Sequence, residues 1–302
     1  MKSLILFSPS GVVARAPVLR LAAKRLRGLG FDAQLDADAL ARHQRFAGDD
    51  STRLAALHRV ADAAPSVAMA SRGGYGLTRL LDGVDWKRIS RSVEQGTRWV
   101  GHSDFTALQL GMLAHGAGPS WAGPLATDDF GREETAGGVD EVTRDCFCEA
   151  MSGELEAVGF RTEAGFDGFG VKGRLWGGNL AMVVSLLGTP HWPGPRVTRG
   201  GILFLEDVNE HPYRIERSLL HLQQAGVLQS QKAVLLGAVS GWKPSPLDRG
   251  YTLKTMVARV RVGMKTPLIT GLPFGHVNPK VTLPVGQQVQ LVVQGRDVLL
   301  GW

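Results

Sequence analysis

Short apolar segments alternate with amphipathic segments along the first half of this chain, and no other feature restricts its fold as strongly. The apolar segments at residues 4–7, 31–35, 67–70 and 98–101 end in turn-forming residues and are predicted strands. Between them, leucines and alanines three or four residues apart predict helices, one opened by Pro17 and one capped by Asp50 or Ser51. Parallel strands need crossover helices, so the first half is predicted to be α/β, with a largely parallel sheet covered on both faces.

Two domains are predicted from the length of 302 residues and from a change of pattern near the middle of the chain. Residues 126–170 are acidic, rich in glycine and without clear periodicity, which is typical of a domain junction. We therefore expect an N-terminal domain at 1–150, a linker at 151–170 and a C-terminal domain at 171–302. The second half is richer in strands, which are predicted at 202–205, 233–239, 268–270 and 289–293, with helices at 180–187 and 215–222.

Composition excludes several classes of protein. With 44% hydrophobic and 21% charged residues, the chain is not disordered, and no apolar run is long enough for a membrane helix. The net charge of +6 comes from the second half of the chain, where lysines and arginines are scattered singly, which favours an anionic small substrate, or simple solubility, over nucleic acid. Only Cys146 and Cys148 are present, and the first apolar run is too short for a signal peptide, so a reducing cytoplasm is expected. No spacing typical of metal ligands occurs, and no metal is expected.

A serine at a strand-to-helix turn is the sharpest chemical signal. The strand that ends at Gly101 delivers Ser103 to a tight turn, and a helix begins at once, as in a nucleophile elbow. The backbone N–H of Asp104 would then help to hold a developing oxyanion. The usual G-x-S-x-G spacing is incomplete because Phe105 replaces the second glycine. The same pattern also fits Ser103 as a helix N-cap.

A glycine-rich loop, Arg72-Gly73-Gly74-Tyr75-Gly76, follows the neighbouring predicted strand. Paired glycines allow positive φ angles and a close approach of the backbone to a ligand. One interpretation is that the amide of Gly73 or Gly74 is a second oxyanion donor facing Ser103. A phosphate-binding loop and a plain turn are the alternatives, although the dinucleotide and Walker patterns are absent.

Two carboxylates, Glu206 and Asp207, end a predicted buried strand. A buried carboxylate needs a partner, and an imidazole is a natural one. His276 lies on a Gly/Pro loop after another strand and is the best candidate for a catalytic base. His102 adjoins Ser103 in sequence, but neighbouring side chains near a strand end point apart.

Six groups of residues, in order along nearly the whole chain, resemble the LD-carboxypeptidases, serine peptidases whose relatives include the microcin C immunity peptidases. They are residues 46–50 (FAGDD), 72–76 (RGGYG), 101–104 (GHSD), 176–180 (WGGNL) with 187–190 (LGTP), 203–207 (LFLED) with 212–215 (PYRI), and 275–276 (GH). The resemblance implies a Ser-His-Glu triad without metal or cofactor, in which Ser103 is the nucleophile, His276 the base and Glu206 the acidic member.

The resemblance also implies an architecture and a substrate. The fold would pair an N-terminal flavodoxin-like domain with a C-terminal swivelling α/β domain, each contributing to the active site, in a homodimer. The substrate would be a cytoplasmic murein tetrapeptide, cut at the L,D amide bond that releases its terminal D-alanine during peptidoglycan recycling. Arg72 and Arg214 are candidates to bind substrate carboxylates. Tyr75 and Trp176 are candidates to line the site, and Trp176 fits domain packing equally well.

Two departures from the family pattern concern substrate preference rather than the triad. His102 stands where an aromatic residue is common, and Ala122 replaces the histidine of a T-x-H-G-P segment. Two other functions stay open at this point. One is an immunity-type peptidase that cleaves a peptidyl- or aminoacyl-nucleotide amide with the same triad. The other is a non-catalytic binding protein in which Ser103 only caps a helix.

Overall fold

A computed structural model describes residues 1–302, which form two compact units. The first unit comprises 1–155 together with two later segments, 190–193 and 279–286. The second unit comprises 156–189, 194–278 and 287–302. The chain therefore leaves the second unit twice to complete the first, which the expectation of a single linker at 151–170 did not include.

Thirteen strands and nine α-helices make up the two units. The strands are β1 (Lys2–Phe7), β2 (Phe31–Leu35), β3 (Val67–Ala70), β4 (Arg98–Gly101), β5 (Ser120–Ala122), β6 (Ala157–Arg161), β7 (Gly170–Asn179), β8 (Ile202–Val208), β9 (Ala233–Ser240), β10 (Leu268–Thr270), β11 (Leu283–Val285), β12 (Gln288–Gln294) and β13 (Asp297–Gly301). The helices are α1 (Ala16–Gly28), α2 (Asp50–Ala63), α3 (Trp86–Glu94), α4 (Thr106–Ala114), α5 (Glu141–Ser152), α6 (Leu180–Leu186), α7 (Pro195–Thr198), α8 (Pro212–Gln224) and α9 (Leu253–Arg261). No helix combines the length and the apolar character needed to cross a membrane.

The first unit is built on a six-stranded sheet in the order β2-β1-β3-β4-β5-β11. The first five strands are parallel, and β11 pairs antiparallel with β5. The order 2-1-3-4-5 is that of flavodoxin-like folds, so this part of the predicted fold is confirmed. Every residue of β3 is buried, as expected for a strand covered on both faces. In such a sheet ligands bind at the carboxyl ends of the strands.

The second unit contains a seven-stranded sheet in the order β10-β9-β8-β7-β12-β13-β6. Strands β10, β9, β8 and β7 are parallel to one another, whereas β12, β13 and β6 continue the sheet antiparallel. Strand β7 belongs to both halves, since it pairs with β8 on one side and with β12 on the other. The parallel half is the α/β part of this unit, and β8 delivers the two candidate carboxylates to its carboxyl end.

Several predicted elements differ from the structure in extent or in type. The spacing of Leu77, Leu80 and Leu81 predicts a short helix, but the structure has two short 3-10 turns there, 77–79 and 81–83, because Asp85 caps a new helix, α3, almost at once. Helix α2 is capped by Asp49, whose carboxylate accepts from the Thr52 N–H, and not by Asp50 or Ser51. The predicted linker contains the end of α5 and all of β6, whose alternating burial the glycines around it obscured.

Candidate active site

Ser103 lies two residues beyond the end of β4, in a strained backbone conformation. Its φ angle is +63°, in the left-handed region that serine rarely adopts, at a cost of about 1–3 kcal/mol. It begins a 3-10 turn that leads into α4. The N-cap of that turn is His102, which makes no side-chain capping hydrogen bond, so Ser103 is not the N-cap that the sequence left open. A strained serine between a strand and a helix is the geometry of a nucleophile elbow.

The glycine loop after β3 packs directly against this serine. A β-carbon on Gly73 would lie 2.6 Å from both Cβ and Oγ of Ser103, and 3.6 Å from the backbone nitrogen of Asp104. The carbonyl of Gly73 accepts a hydrogen bond from the Gly11 N–H at 3.2 Å, and Gly74, with a φ of +112°, packs on Gly11. The structure therefore brings together the serine, the Asp104 amide and the glycine loop, the parts that an oxyanion hole requires.

The Asp104 side chain ties the elbow to the glycine loop, a role that the sequence reasoning missed. Its carboxylate is 2% exposed, and Oδ2 accepts the Leu77 N–H at 3.0 Å, just beyond the loop. Burial raises the pKa of Asp104, and the Ser10 hydroxyl, the Leu77 amide and the charge of Arg53 oppose that shift. Arg53 is itself fully buried and donates to the Pro9 carbonyl at 2.8 Å.

In the second unit, Glu206 and His276 form a hydrogen-bonded pair. Glu206, 1% exposed near the end of β8, accepts from His276 Nδ1 at 2.8 Å through Oε2. Because a carboxylate only accepts, Nδ1 carries a proton, and in the neutral imidazole Nε2 is then the nitrogen with the lone pair. Gly275, with a φ of +131°, lets the loop approach, since a β-carbon there would lie 3.0 Å from Oε2 of Glu206. The pairing of a buried carboxylate with an imidazole, expected from the sequence, is present.

Asn179 holds the other oxygen of Glu206 and was not identified from the sequence. Its Nδ2 donates to Oε1 at 3.1 Å, and its Oδ1 accepts the Met182 N–H as the N-cap of α6. Asn179 is paired with Glu206 in the register of β7 and β8. An asparagine just before a predicted helix was a capping signal, but strand pairing was needed to place it beside the carboxylate.

Asp207 faces away from this pair and anchors helix α6 instead. Its Oδ2 accepts the Ala181 N–H at 2.9 Å, and its Oδ1 accepts the Val208 N–H at 2.7 Å. Burial raises the pKa of Asp207 to about 6, and the charge of Glu206 adds to the shift. The two adjacent carboxylates of the strand end therefore have different partners.

The two other candidates of the first unit lie on the glycine loop. Arg72 donates to the Val12 carbonyl at 3.0 Å and lines a cavity of about 190 Å³. Tyr75 is 41% exposed, with its ring 5.8 Å from that of Phe46. Arg72 therefore borders open space beside the loop, and Tyr75 presents an accessible ring.

The two other candidates of the second unit have different environments. Trp176 is fully buried in β7 and donates its indole N–H to Oε1 of Gln231 at 2.9 Å. Trp176 therefore packs in the core of the second unit, and the structure does not support a role for it in lining the site. Arg214 has a half-exposed side chain whose Nη1 lies 3.5 Å from Oε2 of Glu210. An exposed pair of this kind leaves the guanidinium available to an anionic ligand.

The two departures from the family pattern are buried behind the elbow. His102 is 2% exposed, and its Nδ1 lies 2.8 Å from the Gly123 carbonyl. Ala122, fully buried in β5, pairs with Gly101 at the end of β4. The imidazole and the small residue thus both belong to the packing beneath the nucleophile turn.

The structure contains no group of three or more His, Cys, Asp or Glu side chains placed to hold a metal ion. A histidine pair is present elsewhere in the first unit: Nε2 of His115 lies 3.0 Å from Nδ1 of His191. The second ring nitrogen of His191 lies 2.9 Å from Oδ1 of Asp82, and Trp86 stacks on His115. Hydrogen bonds between side chains thus account for both nitrogens of His191.

A strained serine beside backbone amides, and a histidine hydrogen-bonded to a buried glutamate, are parts that serine hydrolases use, here found in two α/β units. The chain belongs to the LD-carboxypeptidase family of serine-type carboxypeptidases. Its residues 5–123 match the model of the LD-carboxypeptidase N-terminal domain. Residues 172–291 match the model of the C-terminal domain.

Individual relatives cover almost the whole chain. A crystal structure of muramoyltetrapeptide carboxypeptidase from Oxalobacter formigenes is 37% identical, covers 99% of this chain and 97% of that one, and has a TM-score of 0.89. A putative carboxypeptidase of Streptomyces coelicolor is 33% identical over 94% of this chain and 88% of its own length. A structure of the microcin C7 self-immunity protein MccF with aspartyl sulfamoyl adenosine is 20% identical, covers 100% of this chain and 96% of that one, and has a TM-score of 0.86, a likeness of fold.

Proposed function

We propose that this protein hydrolyses the L,D amide bond of murein tetrapeptides and releases the terminal D-alanine, with Ser103, His276 and Glu206 as its catalytic triad. The substrate would be the peptide either free or still attached to its muramoyl sugar. A cytoplasmic location, a role in peptidoglycan recycling and a homodimeric state are part of the same proposal, and they rest on the family resemblance.

The conformation of Ser103 is the observation that carries this proposal. A φ of +63° at a non-glycine residue costs free energy that packing must supply. Such strain is typical of functional sites, because it exposes the side chain at the end of the sheet where ligands bind. A serine that only capped a helix would gain nothing from it.

The hydrogen bond between His276 and Glu206 supports a general-base mechanism. Nδ1 of His276 donates to Glu206, so in the neutral imidazole Nε2 would accept the proton of the Ser103 hydroxyl as its oxygen attacks the substrate carbonyl. Glu206 then stabilises the imidazolium. His276 returns the proton to the departing amine of D-alanine, and water attacks the resulting acyl-enzyme by the same route in reverse.

The amide of Asp104 and an amide of the glycine loop, from Gly73 or Gly74, would receive the oxyanion. These groups belong to backbone that packs directly on Ser103, so they need no rearrangement when charge develops. Loss of one such donor costs about 100- to 1000-fold in rate in serine hydrolases. Arg72 and Arg214 are proposed to bind carboxylates of the peptide, and Tyr75 to contact it.

A direct assay tests the proposal. Purified protein should release D-alanine from a murein tetrapeptide, and the Ser103→Ala variant should bind the tetrapeptide but release none. Activity should persist in a strong chelator. Two controls accompany the assay: the corresponding tripeptide, which has no terminal D-alanine, and an aminoacyl sulfamoyl adenosine. Cleavage of the nucleotide analogue alone would replace this proposal with the immunity-type function, and full activity of Ser103→Ala would reject the serine mechanism.

A further inference from the structure

Three aromatic rings meet at the carboxyl edge of the second-unit sheet, in residues that the proposed mechanism does not use. The ring centroid of His211 lies 4.7 Å from that of Tyr213 and 5.3 Å from that of Trp242. His211 and Tyr213 follow β8, whereas Trp242 follows β9. We call these three residues the aromatic wall.

Two turns with positive φ bring the wall together. Asn209 has a φ of +64° directly after β8, and Gly241 has a φ of +72° directly after β9. The two turns are joined, since Asn209 donates its N–H to the Ser240 carbonyl at 2.8 Å. A β-carbon on Gly241 would lie 2.5 Å from Oδ1 of Asn209, so only glycine fits there without a shift. Asn209 therefore adopts a conformation that is unfavourable for a residue with a side chain, and Gly241 adopts one that glycine takes readily, where the two turns bring these rings side by side.

Hydrogen bonds hold the ring of His211 in place between Tyr213 and Trp242. Its Nδ1 accepts the Tyr213 N–H at 3.4 Å, and its Nε2 lies 3.1 Å from Oδ2 of Asp248. Asp248 is held in turn by the Ser245 N–H at 2.6 Å. Both ring nitrogens of His211 are thus occupied by the protein, and the faces left to contact a ligand are those of Tyr213, which is 51% exposed, and Trp242, which is partly exposed.

The wall begins close to the candidate base. The Ser240 hydroxyl donates to the backbone carbonyl of His276 at 3.3 Å, and Trp242 is two residues further along the chain. Gly241 alone separates the two residues, so the α-carbon of Trp242 lies within about 7 Å of that of Ser240. In a muramoyl tetrapeptide three residues separate the sugar from the bond that is cut, a span of about 10 Å when extended. The wall therefore starts within the length of peptide that separates the scissile bond from the sugar.

Each exposed ring of the wall is followed by a cation, Arg214 after Tyr213 and Lys243 after Trp242. Aromatic faces bind the C–H faces of a ring through apolar contact, and neighbouring cations suit a ligand that also carries carboxylates. A sugar linked to an acidic peptide has both features.

We infer that Tyr213 and Trp242 form a subsite for the muramoyl pyranose ring of the substrate, an inference that rests on the proposed murein peptide specificity. The subsite makes the enzyme favour peptides that still carry the sugar. It takes no part in the chemical step, so its removal weakens binding of the sugar-bearing ligand only.

Equilibrium binding of two uncleaved ligands tests the subsite independently of turnover. The ligands are N-acetylmuramoyl tripeptide and the free tripeptide, both without the terminal D-alanine. For the wild type, the sugar should lower Kd about 5- to 10-fold, which corresponds to about 1–1.4 kcal/mol of binding free energy. Trp242→Ala and Tyr213→Ala should each remove most of this advantage and leave the Kd of the free tripeptide within 2-fold.

Two further variants separate stacking from loop structure. Trp242→Phe keeps a ring face and should keep most of the advantage. Leu247→Ala alters a side chain on the same loop that is 88% exposed and outside the wall, and it should change neither Kd. Equal Kd values for the two ligands in the wild type, or an equal loss for both in Trp242→Ala, would overturn the subsite. A Trp242 effect on adenosine monophosphate but not on the sugar would assign the wall to a nucleobase. Absence of D-alanine release would reject the proposed function without altering this comparison.

Discussion

The α-carbon of Gly73 lies so close to Ser103 that a β-carbon added to it would come within 2.6 Å of the serine Oγ. Gly73→Ala should therefore displace either the nucleophile or the loop that carries the oxyanion amides. A misplacement of about 1 Å in an active site costs roughly 100-fold in rate, so we expect kcat for D-alanine release to fall at least that far. The experiment measures kcat, together with the melting temperature to show that the variant is folded.

Gly28→Ala is the matched control for this prediction, because a β-carbon on Gly28 meets no atom within 4 Å and the residue lies at the end of α1. It should leave kcat unchanged and raise the melting temperature slightly, since alanine is the better helix residue. Wild-type kcat in Gly73→Ala would show that the loop is not part of the catalytic arrangement.

The bond between Glu206 and His276 supports a second prediction. Glu206→Gln keeps the size of the side chain and removes its charge, so the imidazolium loses its counter-ion and the tautomer is no longer fixed. In serine hydrolases the equivalent change costs about 10⁴-fold in kcat with the geometry intact. We expect a loss of about 10³- to 10⁴-fold, measured as kcat, with KM changed less than 3-fold. A variant with wild-type kcat would remove Glu206 from the triad.

The strand ends of the candidate site were predictable from sequence, because their signals are local. Ser103 follows an apolar strand and precedes a helix, and the carboxylates of Glu206 and Asp207 end another buried strand. Ligands bind at the carboxyl ends of the strands in a parallel sheet, so the sequence alone predicted that each of these residues lies where a ligand binds.

The side chains that position these groups were not predictable, because strand register and loop packing decide them. Asn179 reaches Glu206 only because β7 and β8 align in one register. The Asp104 carboxylate reaches Leu77 across 27 positions of sequence. Strand β11 lies about 160 residues after β5 in the sequence and pairs with it at the edge of the first sheet. No local pattern encodes a pairing over such a distance.

A buried ion pair holds the late segment 279–286 in the first unit and gives a stability prediction. Nζ of Lys280 lies 2.8 Å from Oδ1 of Asp129, with both side chains under 5% exposed. Lys280→Met leaves Asp129 buried without a counter-ion, although burial already raises its pKa, and should lower the unfolding free energy by about 3–5 kcal/mol. Urea unfolding at pH 7 measures the change.

A double variant and a surface variant give this prediction its controls. Lys280→Met with Asp129→Asn removes both charges and should recover more than half of the lost stability. Arg161→Met breaks a pair with Asp297 in which both side chains are more than 70% exposed, and it should change the unfolding free energy by less than about 0.5 kcal/mol. If Lys280→Met alone behaves like Arg161→Met, the buried pair does not stabilise the fold.

The raised pKa of Asp207 predicts how the stability of the protein varies with pH. In the unfolded chain this carboxyl has a pKa of about 3.9, whereas burial raises its pKa to about 6 in the folded protein. The folded state thus binds the proton more tightly, so this group stabilises the fold below pH 4, and the contribution is lost as the pH rises to 6. The difference of about 2 between the two pKa values corresponds to about 3 kcal/mol of unfolding free energy.

Asp207→Asn isolates this contribution, because an amide does not ionise. Its single oxygen serves only one of the Ala181 and Val208 N–H groups, as does the carbonyl oxygen of the protonated carboxyl, so the lost acceptor costs about 1–2 kcal/mol only where the wild-type group is ionised. We therefore expect the variant to match the wild type within about 1 kcal/mol at pH 4 and to be more stable than it by about 1–2 kcal/mol at pH 7.5. Urea unfolding across this range measures the difference between the two proteins. A difference that stays constant with pH would show that Asp207 ionises in the folded protein as it does in the unfolded chain.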